Sequence, residues 1–127
     1  MKTVLIADDE AGIRLLYKRE LSQEGLNVVF ASNAEEAIVK AREICPDLVV
    51  MDIKMPGMDG IDAMGRILDE NHEVPIILNS AYSSYKESYL TRPADAYLTK
   101  SSDLTELKST IHRILRDRSA VEASPEE

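Results

Sequence analysis

The chain has 127 residues, of which 44% are hydrophobic and 30% charged, with a net charge of −8 and a pI near 4.8. That is the size and balance of one globular domain around one core, and its acidity argues against gripping nucleic acid or anionic lipid, which needs Lys and Arg against phosphates. The lone Cys45 allows no internal disulfide, MKTVLIADDE has no signal-peptide pattern, and no run approaches the ~20 apolar residues of a membrane span, so a cytoplasmic setting is expected.

Short apolar runs alternate with amphipathic stretches along the chain. TVLIA (3–7) is followed by Ile13, Leu16, Tyr17 and Leu21 at helical spacing, with Gly25 where that helix should stop. NVVFA (27–31) leads into a helix start capped by Asn33 with Glu36, then a stripe of Ala34, Ala37, Ile38, Ala41 and Ile44. DLVVM (47–51) is followed by Ile61, Met64, Ile67 and Leu68, and VPIILN (74–79) by a connection with room only for a short helix, roughly 84–90, before Pro93. DAYL (95–98) precedes a weaker cap, Asp103 with Glu106, and a last stripe of Leu104, Leu107, Ile111, Ile114 and Leu115. The expected domain covers residues 1–118, and residues 119–127 read as a flexible acidic tail. The runs are rich in Val, Ile and Leu without polar alternation, as strands covered on both faces are. Alternating strands and helices predict an α/β, doubly wound parallel sheet, in which ligands collect beyond the carboxyl ends of the strands.

Those ends carry Asp8-Asp9-Glu10, Asp52, Asn79-Ser80-Ala81 and Tyr97-Leu98-Thr99-Lys100. Each has an ordinary reading alone: an Asp pair capping a helix, a turn aspartate, a solvated serine or lysine. Together Asp8, Asp9, Asp52, Ser80 and Lys100 bring three carboxylates, a hydroxyl and a lysine to one edge. Crowded carboxylates resist joint ionisation unless a cation intervenes, and a hard divalent ion such as Mg²⁺ would resolve the conflict. The lysine then suits a second anionic group, a phosphoryl. Met51, Met55, Met58 and Met64 read as packing and turn residues, His72 and His112 as surface. Neither a dinucleotide fingerprint nor a P-loop occurs.

VLIADDE, LVVMDIKMPGMDG, ILNSAY and DAYLTK, spread from Val4 to about Arg116, resemble the receiver domain of two-component response regulators. The resemblance implies a five-stranded sheet in flavodoxin-like order 2-1-3-4-5 with five helices. It implies that Asp52 is the phospho-acceptor and that Asp9, Asp52 and the backbone carbonyl of Lys54 hold Mg²⁺ (or Mn²⁺), with Asp8 acting largely through water. By the same resemblance Lys100 contacts the phosphoryl oxygens, Ser80 is the switch hydroxyl that also binds the phosphoryl, and Tyr97 is the aromatic that turns inward. The implied partners are a sensor histidine kinase or histidine phosphotransfer protein and a downstream protein target, without direct nucleic acid or membrane contact. Such a protein catalyses only its own aspartyl phosphorylation and slow dephosphorylation. Lys54 and Tyr82, two residues beyond the acceptor and the switch hydroxyl, resemble those of the single-domain regulators of sporulation phosphorelays. Both side chains are bulky and flank the approach to the phosphoryl group, so they are expected to hinder the water that hydrolyses it.

Three features depart from the receiver pattern. Ser101 stands where a proline usually follows the lysine, so a trans Lys100–Ser101 bond is expected. Pro93-Ala94 replaces a common Gly-Ala pair, and the segment from Ser80 to Lys100 is about two residues short, which together predict a short or irregular fourth helix. Two other functions compete with a stand-alone receiver. A pseudo-receiver would bind a partner without being phosphorylated. An aspartyl-phosphate phosphatase of the haloacid dehalogenase-like group would want a second Asp where Lys54 stands. A chain of this extent fits a stand-alone regulator and the receiver part of a longer one equally.

Overall fold

The structure is a computed structural model that describes residues 1–82 and 89–123. Its sheet has five parallel strands in the order β2-β1-β3-β4-β5, as expected. The strands are β1 (Thr3–Ala7), β2 (Asn27–Ala31), β3 (Leu48–Met51), β4 (Ile76–Ser80) and β5 (Ala96–Thr99). The helices are α1 (Ala11–Ser22), α2 (Ala34–Ile44), α3 (Gly60–Glu70) and α4 (Thr105–Ala123), with a 3₁₀ turn at Tyr89–Thr91. The expected helix over 84–90 falls largely on residues 83–88, outside the described residues; positions 89 and 90 belong to that 3₁₀ turn. α4 runs to Ala123, past Ser119 where the tail was expected to start, and 124–127 lie outside the described residues. Among the described residues no helix is long and apolar enough to cross a membrane.

The three central strands are apolar on both faces because helices cover both. Leu5, Val49, Met51, Ile76 and Leu78 meet Ala34, Ala37, Ala63, Met64 and Ile67 on the α2/α3 side. Val4, Ile6, Leu48, Val50 and Ile77 meet Tyr17, Leu21, Leu107 and Ile111 on the α1/α4 side. Each large side chain buried this way contributes about 1.5–3 kcal/mol over exposure. The edge strand β2 is only half-buried, in keeping with its position. Met51, Met55 and Met64 are core residues and Met58 packs against them. His72 is exposed, and His112 sits partly buried with Nε2 3.0 Å from Glu24 Oε1.

Local chemistry sets the helix ends. Asn33 Oδ1 accepts the Glu36 N–H at 2.7 Å, as the cap predicts. The reciprocal contact is displaced by one residue, since Glu36 Oε1 accepts from the Ser32 N–H and hydroxyl. Asp103 Oδ1 accepts the Thr105 N–H, so its partner is nearer than Glu106. Gly25, at φ 81°, closes the turn after α1. No cis peptide occurs among the described residues, and Lys100–Ser101 is trans.

Candidate functional site

Parallel pairing brings the strand ends level. Ala7, Met51 and Leu78 are register partners across β1, β3 and β4. One residue further, Asp8, Asp52 and Asn79 therefore form a row at the carboxyl edge. Side chains alternate along a strand, so these three point to the α1/α4 face with Ile6, Val50 and Ile77. Backbone bonds extend the pairing into the row: the Asp8 N–H donates to Ala31 O at 3.1 Å and the Asp52 N–H to Ala7 O at 2.9 Å. Asp8 and Asp52 are only 2% and 5% exposed, whereas Asp9 faces solvent.

Carboxylate oxygens of Asp8, Asp9 and Asp52 lie within 4.8 Å of one another. Lys100 reaches back over them, with Nζ 2.7 Å from Asp8 Oδ2, 3.1 Å from Asp52 Oδ2 and 3.8 Å from Glu10 Oε1. Burial lifts the Asp52 carboxyl above the ordinary range, Lys100 works against that, and Asp8 adds to it. Burial opposes the charge on Lys100, but Asp8 and Asp52 outweigh it and push its ammonium up to about 12. The lysine is thus the cation that keeps two buried carboxylates tolerable. Asp8 does not cap α1, whose N-cap is Glu10 without a side-chain cap bond; its Oδ1 instead accepts the Glu10 N–H at 3.0 Å in the turn before the helix. Three hard oxygen donors, one of them open to water, fit a divalent cation that retains part of its hydration.

Ser80 is fully buried, and its Oγ accepts the Tyr82 N–H at 3.1 Å. The Tyr97 hydroxyl donates to the Tyr82 carbonyl, and its ring packs against the α2/α3 side of the core. Two strands thus attach to the backbone of one residue in the loop after β4. Lys54 and Tyr82 are both exposed at that edge, Tyr82 by 52%.

Several residues that shape the site escape the sequence patterns. A Cβ on Gly60 would stand 1.9 Å from the Asp52 carbonyl oxygen, and the Gly60 N–H donates to Ile53 O at 2.8 Å. Asp59 caps α3, accepting the Asp62 N–H at 2.9 Å, and Gly57 at φ 83° turns the chain between Asp52 and that cap. The spacing Asp59-x-x-Asp62 ahead of an apolar stripe was the available signal. Asn79 donates to the Tyr17 hydroxyl at 2.7 Å, a buried pair between β4 and α1 that the helical stripe hides.

Comparison with known proteins agrees with this geometry. Residues 4–112 match the response regulator receiver domain family. The Mycobacterium tuberculosis transcriptional regulatory protein TrcR is 34% identical over 98% of this chain and 49% of its own length. The Bacillus subtilis alkaline phosphatase synthesis transcriptional regulatory protein PhoP is 34% identical over 99% of this chain and 53% of its own. The chain thus spans about half the length of the curated relatives it matches. Among solved structures, the Thermotoga maritima response regulator TrrA in complex with Mg²⁺-BeF is 40% identical, with a TM-score of 0.87 over 90% of this chain and 99% of that one. TrrA in complex with the histidine kinase ThkA is 41% identical, with a TM-score of 0.86 over 91% and 99%. The fold, the acidic edge and these matches place the chain in one class: it belongs to the receiver domains of two-component response regulators.

Proposed function

We propose that Asp52 accepts a phosphoryl group from a phosphohistidine on a sensor kinase or histidine phosphotransfer protein, and that the modified chain signals to a protein target. The observation that carries this reading is the cluster of Asp8, Asp9 and Asp52 oxygens within 4.8 Å, bridged by Lys100. In the transfer the P–N bond to the donor imidazole breaks, its electron pair stays on nitrogen, and a P–O bond forms to an Asp52 carboxylate oxygen. Such a transfer asks mainly for positioning and for charge on the equatorial oxygens. Asp9, Asp52 and the Lys54 carbonyl would hold Mg²⁺, with Asp8 reaching it through water. Bound Mg²⁺ supplies positive charge against the phosphoryl oxygens. Lys100 moves from its carboxylate partners to a phosphoryl oxygen, and its strong preference for the charged form suits that exchange.

The product adds charge and acceptor oxygens beside Ser80. If the Ser80 hydroxyl turns to them, the Tyr82 N–H that it now holds is released, and the carbonyl that binds Tyr97 belongs to the same residue. That shared anchor is what supports a switch linking Ser80 and Tyr97. Lys54 and Tyr82, both exposed at the mouth, would screen the phosphoryl from attacking water.

The test is incubation with Mg²⁺ and a small phosphodonor such as acetyl phosphate, followed by intact-mass measurement. The reading predicts one phosphate, labile to acid, base and hydroxylamine, that is absent without Mg²⁺ and in Asp52→Ala. Absence of any phosphate in the wild-type chain would favour a pseudo-receiver, and continuous turnover of a phosphate ester an aspartyl phosphatase.

A further inference from the structure

Asn79 shares the register row of Asp8 and Asp52, yet it is an amide, 4% exposed, with its Nδ2 on the hydroxyl of Tyr17, itself 2% exposed. Below that row on the same face the strands carry the apolar Ile6, Val50 and Ile77. Both members are buried and bonded to each other, and a buried polar group that loses its partner is costly, so the geometry of the pair is held tightly. Burial raises the Tyr17 hydroxyl above the ordinary phenol range, and Lys100, Asp8 and Asp52 are close enough to act on it, so a neutral Tyr17 lies directly under the pocket.

A chain of bonds leads from this pair to the lysine. Tyr17 holds Asn79, the next residue is Ser80, and the Ser80 carbonyl accepts the Lys100 N–H at 2.7 Å. From that anchor the Lys100 side chain spans to Asp8 and Asp52. Helix α1 carries Tyr17 two turns after Glu10, so the same helix that leaves the Asp8-Asp9 end also pins the end of β4.

We propose that Tyr17 and Asn79 are a positioning pair for the acidic pocket, anchoring the β4 end to α1 and thereby setting the place of Lys100 relative to Asp52. The proposal rests on the reading that Asp52 takes a phosphoryl group, and neither residue touches the reacting atoms.

A purely structural pair and a positioning pair part company in the double variant Tyr17→Phe/Asn79→Leu. Replacing both partners by apolar groups of like shape can be nearly neutral for stability, whereas each single change leaves one polar group stranded. The double variant should therefore melt near the wild-type temperature but take phosphate from acetyl phosphate about tenfold more slowly at saturating Mg²⁺. In a Lys100→Ala background the same double change should slow uptake no further, because the pair acts through that lysine. Wild-type rates in the double variant, or an equal loss with and without Lys100, would overturn the proposal. A second measurement stands apart from phosphorylation: hydrogen exchange at the Lys100 amide should be about tenfold faster in the double variant while the Ile111 amide follows global stability. Unchanged protection at Lys100 overturns the pair's role whatever the uptake shows. A wild-type chain that takes no phosphate, with Lys100 loosened in the double variant, overturns the functional reading and leaves the anchoring supported.

Discussion

Gly60 lies against Asp52 so closely that a single added carbon would stand 1.9 Å from the aspartate's carbonyl oxygen. The obstacle is backbone on both sides, so no side-chain rotation relieves it. Helix α3 and Asp52 are therefore set against each other by the absence of a side chain. Gly60→Ala should cost about 3 kcal/mol in urea unfolding, the upper part of the range for overpacking. It should also weaken Mg²⁺ binding by moving the Asp52 backbone. Full stability in that variant would show that the α3 start can shift freely.

Lys100 is the counter-charge of two buried carboxylates. Lys100→Met strands Asp8 and Asp52, and removing one partner of a buried ion pair costs about 3–5 kcal/mol. Urea melts in chelator should show that loss, and millimolar Mg²⁺ should recover part of it by replacing the missing charge. A loss that Mg²⁺ leaves untouched would mean that the lysine acts through packing alone.

The start of α2 offers a prediction outside the site. Asn33→Ala removes the acceptor of the Glu36 N–H and should cost about 1 kcal/mol. Glu36 itself is held below the ordinary carboxylate range by the Ser32 N–H, then by the Ser32 hydroxyl. A carboxyl whose pKa is depressed on folding stabilises above its unfolded value of 4.5, and the gain fades as pH falls through the folded value. Glu36→Gln should therefore make stability fall less steeply below pH 4.5 and leave a small deficit at neutral pH.

The proposed gate of Lys54 and Tyr82 is tested by decay of the phosphorylated chain. Lys54→Ala and Tyr82→Ala should each shorten the lifetime of the phosphoryl group, with the double change the fastest. Lifetimes equal to wild type in both single variants would remove the shielding role and leave Lys54 as a solvated turn residue.

The sheet was legible because parallel strands buried on both faces are written as Val, Ile and Leu runs, and because the charged residues after them had to share an edge. Asp8, Asp9, Asp52 and Lys100 were legible for that reason, and the structure brings all four together. Tyr17 was not, because in a helical stripe a tyrosine and a leucine look alike until the amide opposite is known. Gly60 reads as a helix start, and its real constraint is a carbonyl eight residues back in the chain. The Glu36 contact moved from Asn33 to Ser32 because a glutamate side chain can reach either amide. Between Ser80 and Lys100 the sequence departs most from the receiver pattern. There Pro93 limits how far a helix can run, and local spacing does not show that the Tyr97 hydroxyl reaches the Tyr82 carbonyl.

The most direct measurement is borohydride reduction of the chain after exposure to Mg²⁺ and acetyl phosphate, followed by peptide sequencing in the mass spectrometer. Borohydride converts an aspartyl phosphate to homoserine and spares free carboxylates. The account predicts homoserine at position 52, dependent on Mg²⁺ and on the phosphodonor. An unreduced Asp52 in a phosphorylated chain, or homoserine at Asp8 or Asp9 instead, would contradict it.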